Sequence, residues 1–161
     1  MLTAIICTYN REKYIGNLLE SIAANDLSKS EYEIVLVDNN CTDNTHKVCK
    51  AFAAAHADVN FRYVIEKEQG LSSARNKGIR EAKGDVLVYI DDALVDTWYL
   101  RTIVEYMSAH PEISAVGGPI IPLYEETEEP KWMTRYTKEL LCGYLYFGDE
   151  ERSFPGERYP G

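Results

Sequence analysis

Asp91 and Asp92 stand side by side directly after the apolar run Val86-Leu87-Val88-Tyr89-Ile90. The run is short, rich in valine and isoleucine and preceded by Gly84-Asp85, so it reads as a strand buried on both faces. Two adjacent carboxylates at a strand end repel each other. Without an intervening proton or cation, the pKa of at least one must rise. A divalent ion relieves the repulsion, because hard cations such as Mg²⁺ take carboxylate oxygens and share their shell with substrate phosphates. A solvated Asp-Asp turn leading into a helix is the equally open alternative for this pair taken alone.

Polar residues also follow the three earlier apolar runs. Thr8-Tyr9-Asn10-Arg11 follows the first, Asp38-Asn39-Asn40-Cys41-Thr42-Asp43-Asn44-Thr45 the second, and Glu66-Lys67-Glu68-Gln69-Gly70 the third. One such cluster is an ordinary loop, in which Asp38 and Asn39 simply turn the chain. Four on one edge of a sheet build a polar cleft, since ligands of open α/β sheets sit outside the carboxyl ends of the strands. Arg11 and Lys13 can equally be surface charges and Tyr9 a packing aromatic, while Arg75 and Asn76 fall in the first turns of a helix. His46, His56 and His110 lie far apart without a metal pattern and read as surface residues. The four cysteines, Cys7, Cys41, Cys49 and Cys142, show neither CxxC spacing nor a zinc-distance histidine, so free, space-filling thiols are expected.

The elements that must position these groups follow from hydrophobic period. Residues 2–7 are a first strand, 34–37 a second, 61–65 a third, 86–90 a fourth and 113–117 a fifth. Ile15, Leu18, Leu19, Ile22 and Ala23 form one helical stripe, and Val48, Ala51, Phe52 and Ala55 another, with Thr42 or Asp43 as its cap. A third helix is expected over 71–83, ended by Gly84. Leu100, Ile103, Val104 and Met107 mark a fourth, stopped by Pro111. This alternation predicts an α/β, Rossmann-like three-layer sandwich: a mostly parallel central sheet with helices on both faces. Beyond Gly118 the periodicity fades into an acidic loop at 125–130, an aromatic-rich stretch at 131–146 that can form a short helix, and a final loop.

The 161 residues suit one domain, and 45% hydrophobic with 27% charged residues describes an ordinary globular protein. A net charge of −9 argues against a general nucleic-acid binder or a polybasic membrane anchor. Bound phosphate must therefore be held by local donors or a metal. No stretch has the length of a membrane-spanning helix, and Met1 leads into the first strand without a signal-peptide n-region. A cytoplasmic location is expected, at most at the inner face of a membrane. A dinucleotide fold needs Gly-x-Gly-x-x-Gly where this chain has Tyr9-Asn10-Arg11-Glu12, and no P-loop is present.

Four ordered motifs carry a resemblance. Ile5-Ile6-Cys7-Thr8-Tyr9-Asn10-Arg11, Val37-Asp38-Asn39-Asn40-Cys41-Thr42-Asp43-Asn44-Thr45, Gly70-Leu71-Ser72-Ser73-Ala74-Arg75-Asn76-Lys77-Gly78 and Tyr89-Ile90-Asp91-Asp92-Ala93 resemble those of the family 2 glycosyltransferases, inverting nucleotide-sugar enzymes of the GT-A fold. Cys41 stands in the usual serine place. The resemblance implies a nucleotide site formed by Thr8, Tyr9, Asn10, Arg11, Asp38, Asn40, Gly70, Arg75 and Asp91, with Asp38 accepting a hydrogen bond from the base. It implies Asp92 with Asp91 as ligands of Mn²⁺ or Mg²⁺ bridging the diphosphate, and Gly78 packing its helix on the sheet. The expected partners are a nucleoside-diphosphate sugar donor and a sugar, lipid-linked or other hydroxyl acceptor, with no nucleic acid. Membrane association would come only through regions outside this chain.

The chain departs from the family pattern in two ways. The acidic motif carries two acids, with Ile90 or Ala93 at the third position. The acceptor segment and its general base are expected beyond Gly161, so 1–119 would be the nucleotide-sugar-binding domain and 120–161 the incomplete, loop-rich start of the acceptor side. A non-catalytic nucleotide-sugar-binding module and a nucleotidyltransferase of similar topology are the alternatives.

Overall fold

A computed structural model of the chain describes residues 1–91, 93–118, 120–124 and 128–142. Its contacts divide the chain into two compact units, Met1–Ser114 and Ala115–Gly161. In the first unit the order is β1 (Leu2–Thr8), α1 (Glu12–Ala23), β2 (Tyr32–Asp38), α2 (Thr45–Ala55), β3 (Phe61–Ile65), α3 (Leu71–Glu81), β4 (Val86–Tyr89) and α4 (Tyr99–Ala109). The four strands pair in parallel in the order β3-β2-β1-β4. The chain thus runs outward from β1 to β3 and then crosses back to place β4 on the other side. That reversal beside β1 opens a crevice at the carboxyl edge of the sheet.

Side-chain alternation sorts the layers. Leu2, Ala4 and Ile6 of β1 and Ile34 and Leu36 of β2 point into the main core with Ile15, Leu18, Leu19 and Ile22 of α1, Phe52 of α2 and Leu100 of α4. Val35 and Val37 point the other way, onto Ala74 of α3. The sheet is therefore sandwiched between α1, α2 and α4 on one face and α3 on the other, as the alternation of elements predicts. Each buried aliphatic side chain contributes roughly 1.5–3 kcal/mol. On the α3 face the approach is close: a Cβ at Gly78 would lie 2.4 Å from Ile5 Cγ2, so only glycine lets the helix settle there.

The amino edge of the sheet is held by a buried acid that the hydrophobic period does not reveal. Glu33 is fully buried. Its Oε1 accepts from the Thr3 hydroxyl (2.8 Å) and the Lys83 N–H (2.7 Å), and its Oε2 from Arg62 Nε (3.2 Å) and Nη2 (3.1 Å). Arg62 also pairs with Glu81 at 3.2 Å, and Lys77 with Glu81 at 2.8 Å, which ties the end of α3 to β2 and β3.

Several expectations are corrected. Residues 113–118 form no strand, and β4 is the edge of the four-stranded sheet among the described residues. The segment is rich in small residues, including Gly117 and Gly118, and offers little side chain to pack on a pleated surface. Nor is β4 buried on both faces: Leu87 is 38% and Tyr89 40% exposed. Helix α3 stops at Glu81 and Ala82 turns extended, so Gly84 is not its terminator. Neither Thr42 nor Asp43 occupies the N-cap of α2, which is Asn44.

In the second unit, α5 (Arg135–Cys142) forms within the stretch where a short helix is expected. Thr134 precedes it, its hydroxyl accepting the Thr137 N–H at 3.3 Å. Positions 125–127 of the acidic segment and the final loop lie outside the described residues. No helix among the described residues is long and apolar enough to cross a membrane.

Candidate functional site

Thr8 and Asp38 are register partners at the carboxyl ends of β1 and β2, and both are buried, at 3% and 6% exposure. Strand parity sends both toward the α1/α2 face. Asp38 is a turn former and more: its Oδ1 accepts the Cys41 N–H (2.7 Å), closing the loop, while its Oδ2 accepts the Tyr63 hydroxyl from β3. Among the described residues the Thr8 hydroxyl beside it has no partner. A buried orphan hydroxyl next to a buried carboxylate is costly for a fold to retain, and is the kind of exception that function explains.

The loops around this pair brace one another. Asn10 and Asn40 sit at φ +54° and +67°, left-handed positions that asparagine tolerates. Asn10 Oδ1 accepts from the Thr42 N–H (2.7 Å) and hydroxyl, and the Asn10 N–H donates to Cys41 Sγ (3.2 Å). Asn40 Nδ2 donates to the Lys67 carbonyl and to Gln69 Oε1. Asn39, an ordinary turn former by type, is the main brace. Its Nδ2 reaches the Glu66 and Glu68 carbonyls, and its Oδ1 receives the Gly70 N–H at 2.8 Å. That bond holds Gly70 at φ +144°, a conformation favouring glycine, directly before α3. Asn39 lies within the polar run at the strand end, but nothing in its type distinguishes a brace from a turn.

Asp43 ties the starts of two helices together. Its Oδ2 accepts the Glu12 N–H of α1 (3.0 Å) and its Oδ1 the Thr45 N–H of α2 (3.0 Å), while Glu12 Oε2 accepts the Asn44 N–H (2.6 Å). Burial works to raise the Asp43 pKa, but the Thr45 hydroxyl and these N–H groups together hold it below the ordinary value. The Arg11 N–H donates to the Thr45 hydroxyl, with the Arg11 side chain exposed, and Tyr9 is 51% exposed.

On the opposite face, Arg75 of α3 donates from Nη2 to Asp91 Oδ2 at 2.9 Å and lies over the Tyr89 ring, 5.6 Å from its centroid. Among the described residues its Nε–H has no partner. Burial pushes the Cys7 thiol up to about 11, with Asp91 adding to the rise and Arg75 opposing it, and burial likewise pushes Cys49 to about 12. These thiols stay protonated near neutrality and act as space-filling groups, and Cys7, Cys41 and Cys49 are all free. The structure therefore gathers the predicted residues into two clusters at the carboxyl edge: Thr8, Asn10, Asp38 and Asn40 with their loops, and Arg75 with Asp91. Asp92 lies outside the described residues. Among the described residues no cluster of three or more metal-ligating side chains forms. Asp91 offers an exposed, hard carboxylate oxygen, a donor suited to a divalent cation that completes its shell with water and phosphate oxygens.

The glycosyl transferase family 2 model matches residues 3–153. A dolichyl N-acetyl-α-D-glucosaminyl phosphate 3-β-D-2,3-diacetamido-2,3-dideoxy-β-D-glucuronosyltransferase from Methanococcus voltae is 28% identical over 158 residues, covering 95% of this chain and 49% of the relative. The structure of S. aureus TarS 1-349 in complex with UDP superposes with a TM-score of 0.63 at 27% identity, over 76% of this chain and 38% of that one. A mannosyltransferase from Pyrobaculum calidifontis, in complex with GDP-Man and Mn²⁺, gives 0.64 at 32% identity, over 66% and 32%. The chain thus spans about half the length of the first of these proteins and less of the other two. With its four motifs at the ends of the strands of a parallel, Rossmann-like sheet, the chain belongs to glycosyl transferase family 2.

Proposed function

We propose that the carboxyl edge of this sheet binds a nucleoside-diphosphate sugar together with Mn²⁺ or Mg²⁺, for inverting transfer of the sugar to a hydroxyl acceptor. The observation that carries the proposal is the buried Asp38 carboxylate beside the unpartnered Thr8 hydroxyl at adjoining strand ends. A base ring N–H would take a remaining acceptor position on the first, and a base carbonyl would accept from the second. Tyr9 would flank the base, and Asn10, Arg11, Asn40 and Gly70 would shape the loops that receive the nucleoside. Arg75 would direct its guanidinium to the nucleotide or its diphosphate, Asp91 would meet the ribose, and Asp91 with Asp92 would hold the cation. The cation, when bound, neutralises charge on the nucleoside-diphosphate leaving group. The nucleotide and Mn²⁺ named for the two solved structures support this donor class. A glycan or lipid-linked acceptor follows the relatives' names, and family membership disfavours the nucleotidyltransferase and non-catalytic alternatives.

The test is a thermal-shift panel of nucleoside diphosphates with Mn²⁺ and with chelator, because a ligand that binds only the folded state raises stability by mass action. Uridine or guanosine diphosphate should stabilise the protein with Mn²⁺ and much less without it. Asp92→Asn should erase the difference. Equal stabilisation with and without metal would refute the metal role, and no stabilisation by any nucleotide would refute the site.

A further inference from the structure

We propose that Tyr63 is a positioning residue for donor recognition: its hydroxyl, donating to Asp38 Oδ2, holds the carboxylate in the orientation from which it receives the ring N–H of the nucleotide base. The inference rests on the nucleotide site proposed above and adds a residue that none of the four motifs contains.

Tyr63 lies opposite Leu36 in the β2–β3 register, and Asp38 is opposite Ile65. Tyr63 and Asp38 are therefore diagonal neighbours on one face, a separation that an aromatic side chain can bridge. The carboxylate is gripped at both oxygens, by the Cys41 N–H at Oδ1 and by the Tyr63 hydroxyl at Oδ2. An ionised carboxylate has about four acceptor positions, so this double grip leaves capacity for an incoming N–H. With the loop contact alone, the group could pivot about Oδ1.

The surroundings make the hydroxyl the deciding anchor. The Tyr63 ring meets His46 edge-on at 5.2 Å, but it also borders a cavity of about 240 Å³ with His46, Cys49, Lys50, Ala53 and Phe61. Packing alone leaves the ring room to swing into that space. Burial first, and then the hydrogen bond to Asp38 and its charge, push the Tyr63 phenol well above its ordinary pKa, so it remains a donor across the working pH range.

The experiment is calorimetric titration, in Mn²⁺, of UDP and GDP, each beside its ring N-methyl analogue (N3-methyl-UDP and N1-methyl-GDP). In the wild type, methylation should weaken the better-bound nucleotide. Tyr63→Phe should weaken the unmethylated nucleotide roughly tenfold, the scale on which losing an outer partner of a ligating group is felt. It should leave the methylated one unchanged, so their ratio collapses. A merely structural role would weaken both alike and keep the ratio, which would overturn the proposal. In an Asp38→Asn background, Tyr63→Phe should add no further loss, and full additivity would also overturn it. Should the phenylalanine variant fail to fold, 3-fluorotyrosine at position 63 keeps the shape and alters the donor, and an unchanged ratio is again decisive against the proposal. If the wild type binds neither nucleotide, or is indifferent to methylation, the Asp38–base contact itself is refuted, and this inference with it.

Discussion

Replacing Glu33 by glutamine tests the physical account of the scaffold at a point remote from the proposed site. The side chain is fully buried and receives a hydroxyl, a backbone N–H and two guanidinium N–H bonds. Glutamine keeps the volume but offers only one acceptor oxygen, and its amide N–H₂ must face a donor. If the oxygen stays with Arg62, the Lys83 N–H is orphaned. If it turns to Lys83 and Thr3, the guanidinium loses both hydrogen bonds to this position, and in either orientation it loses the Glu33 charge. Removing one partner of a buried pair costs about 3–5 kcal/mol. Arg62 is 24% exposed and keeps Glu81, which discounts the figure to its lower end, about 3 kcal/mol. For a chain of this size that lowers Tm by about 6–12 °C. Equilibrium urea denaturation should show the midpoint falling with the slope m unchanged, because the surface exposed on unfolding is the same. A loss under about 1 kcal/mol would mean that water or Glu81 replaces Glu33 freely and that the amino edge is not held by this acid.

Asp38→Ala should lower the stability of the ligand-free protein by about 1–3 kcal/mol, since the Cys41 N–H and Tyr63 hydroxyl lose their acceptor, and should abolish nucleotide stabilisation in the same thermal-shift assay. Asp38→Asn, which can still accept from Cys41, should be the milder change in stability and in binding, leaving a weakened but measurable affinity. Asp43→Ala removes the acceptor for two helix starts and should cost about 1–2 kcal/mol at neutral pH by chemical denaturation. The folded Asp43 pKa lies below its unfolded value, so this stability is complete above about pH 4 and is lost as pH falls through the folded pKa. Wild type and variant should therefore converge in acid, and a constant gap would refute the linkage. Gly70→Ala places a Cβ at φ +144° and should cost about 1–3 kcal/mol by the same measurement, although the added Cβ would meet only Ser73 Oγ, at an ordinary contact distance of 3.9 Å.

The local pattern of the chain determined the elements and their alternation. Apolar stripes at helical spacing marked α1, α2 and α4, and short β-branched runs marked the four strands, because each must bury one face against the sheet. Strand–helix alternation then implied a parallel sheet, and the polar strand ends implied where ligands would sit. The tertiary structure alone decided the rest. The run at 113–117 reads as a strand by composition, yet among the described residues it finds no sheet partner, and a strand without one leaves its backbone hydrogen bonds unmet. Glu33, Asn39, Asp43 and Tyr63 carry no periodic signal, since hydrogen-bond partners 25 or more residues away define their roles. By residue type Asp38 is a turn former, and only the family resemblance implies a base acceptor. Folding places it beside an unpartnered Thr8 and under the Tyr63 hydroxyl, and long-range register, which no local pattern encodes, produces that arrangement.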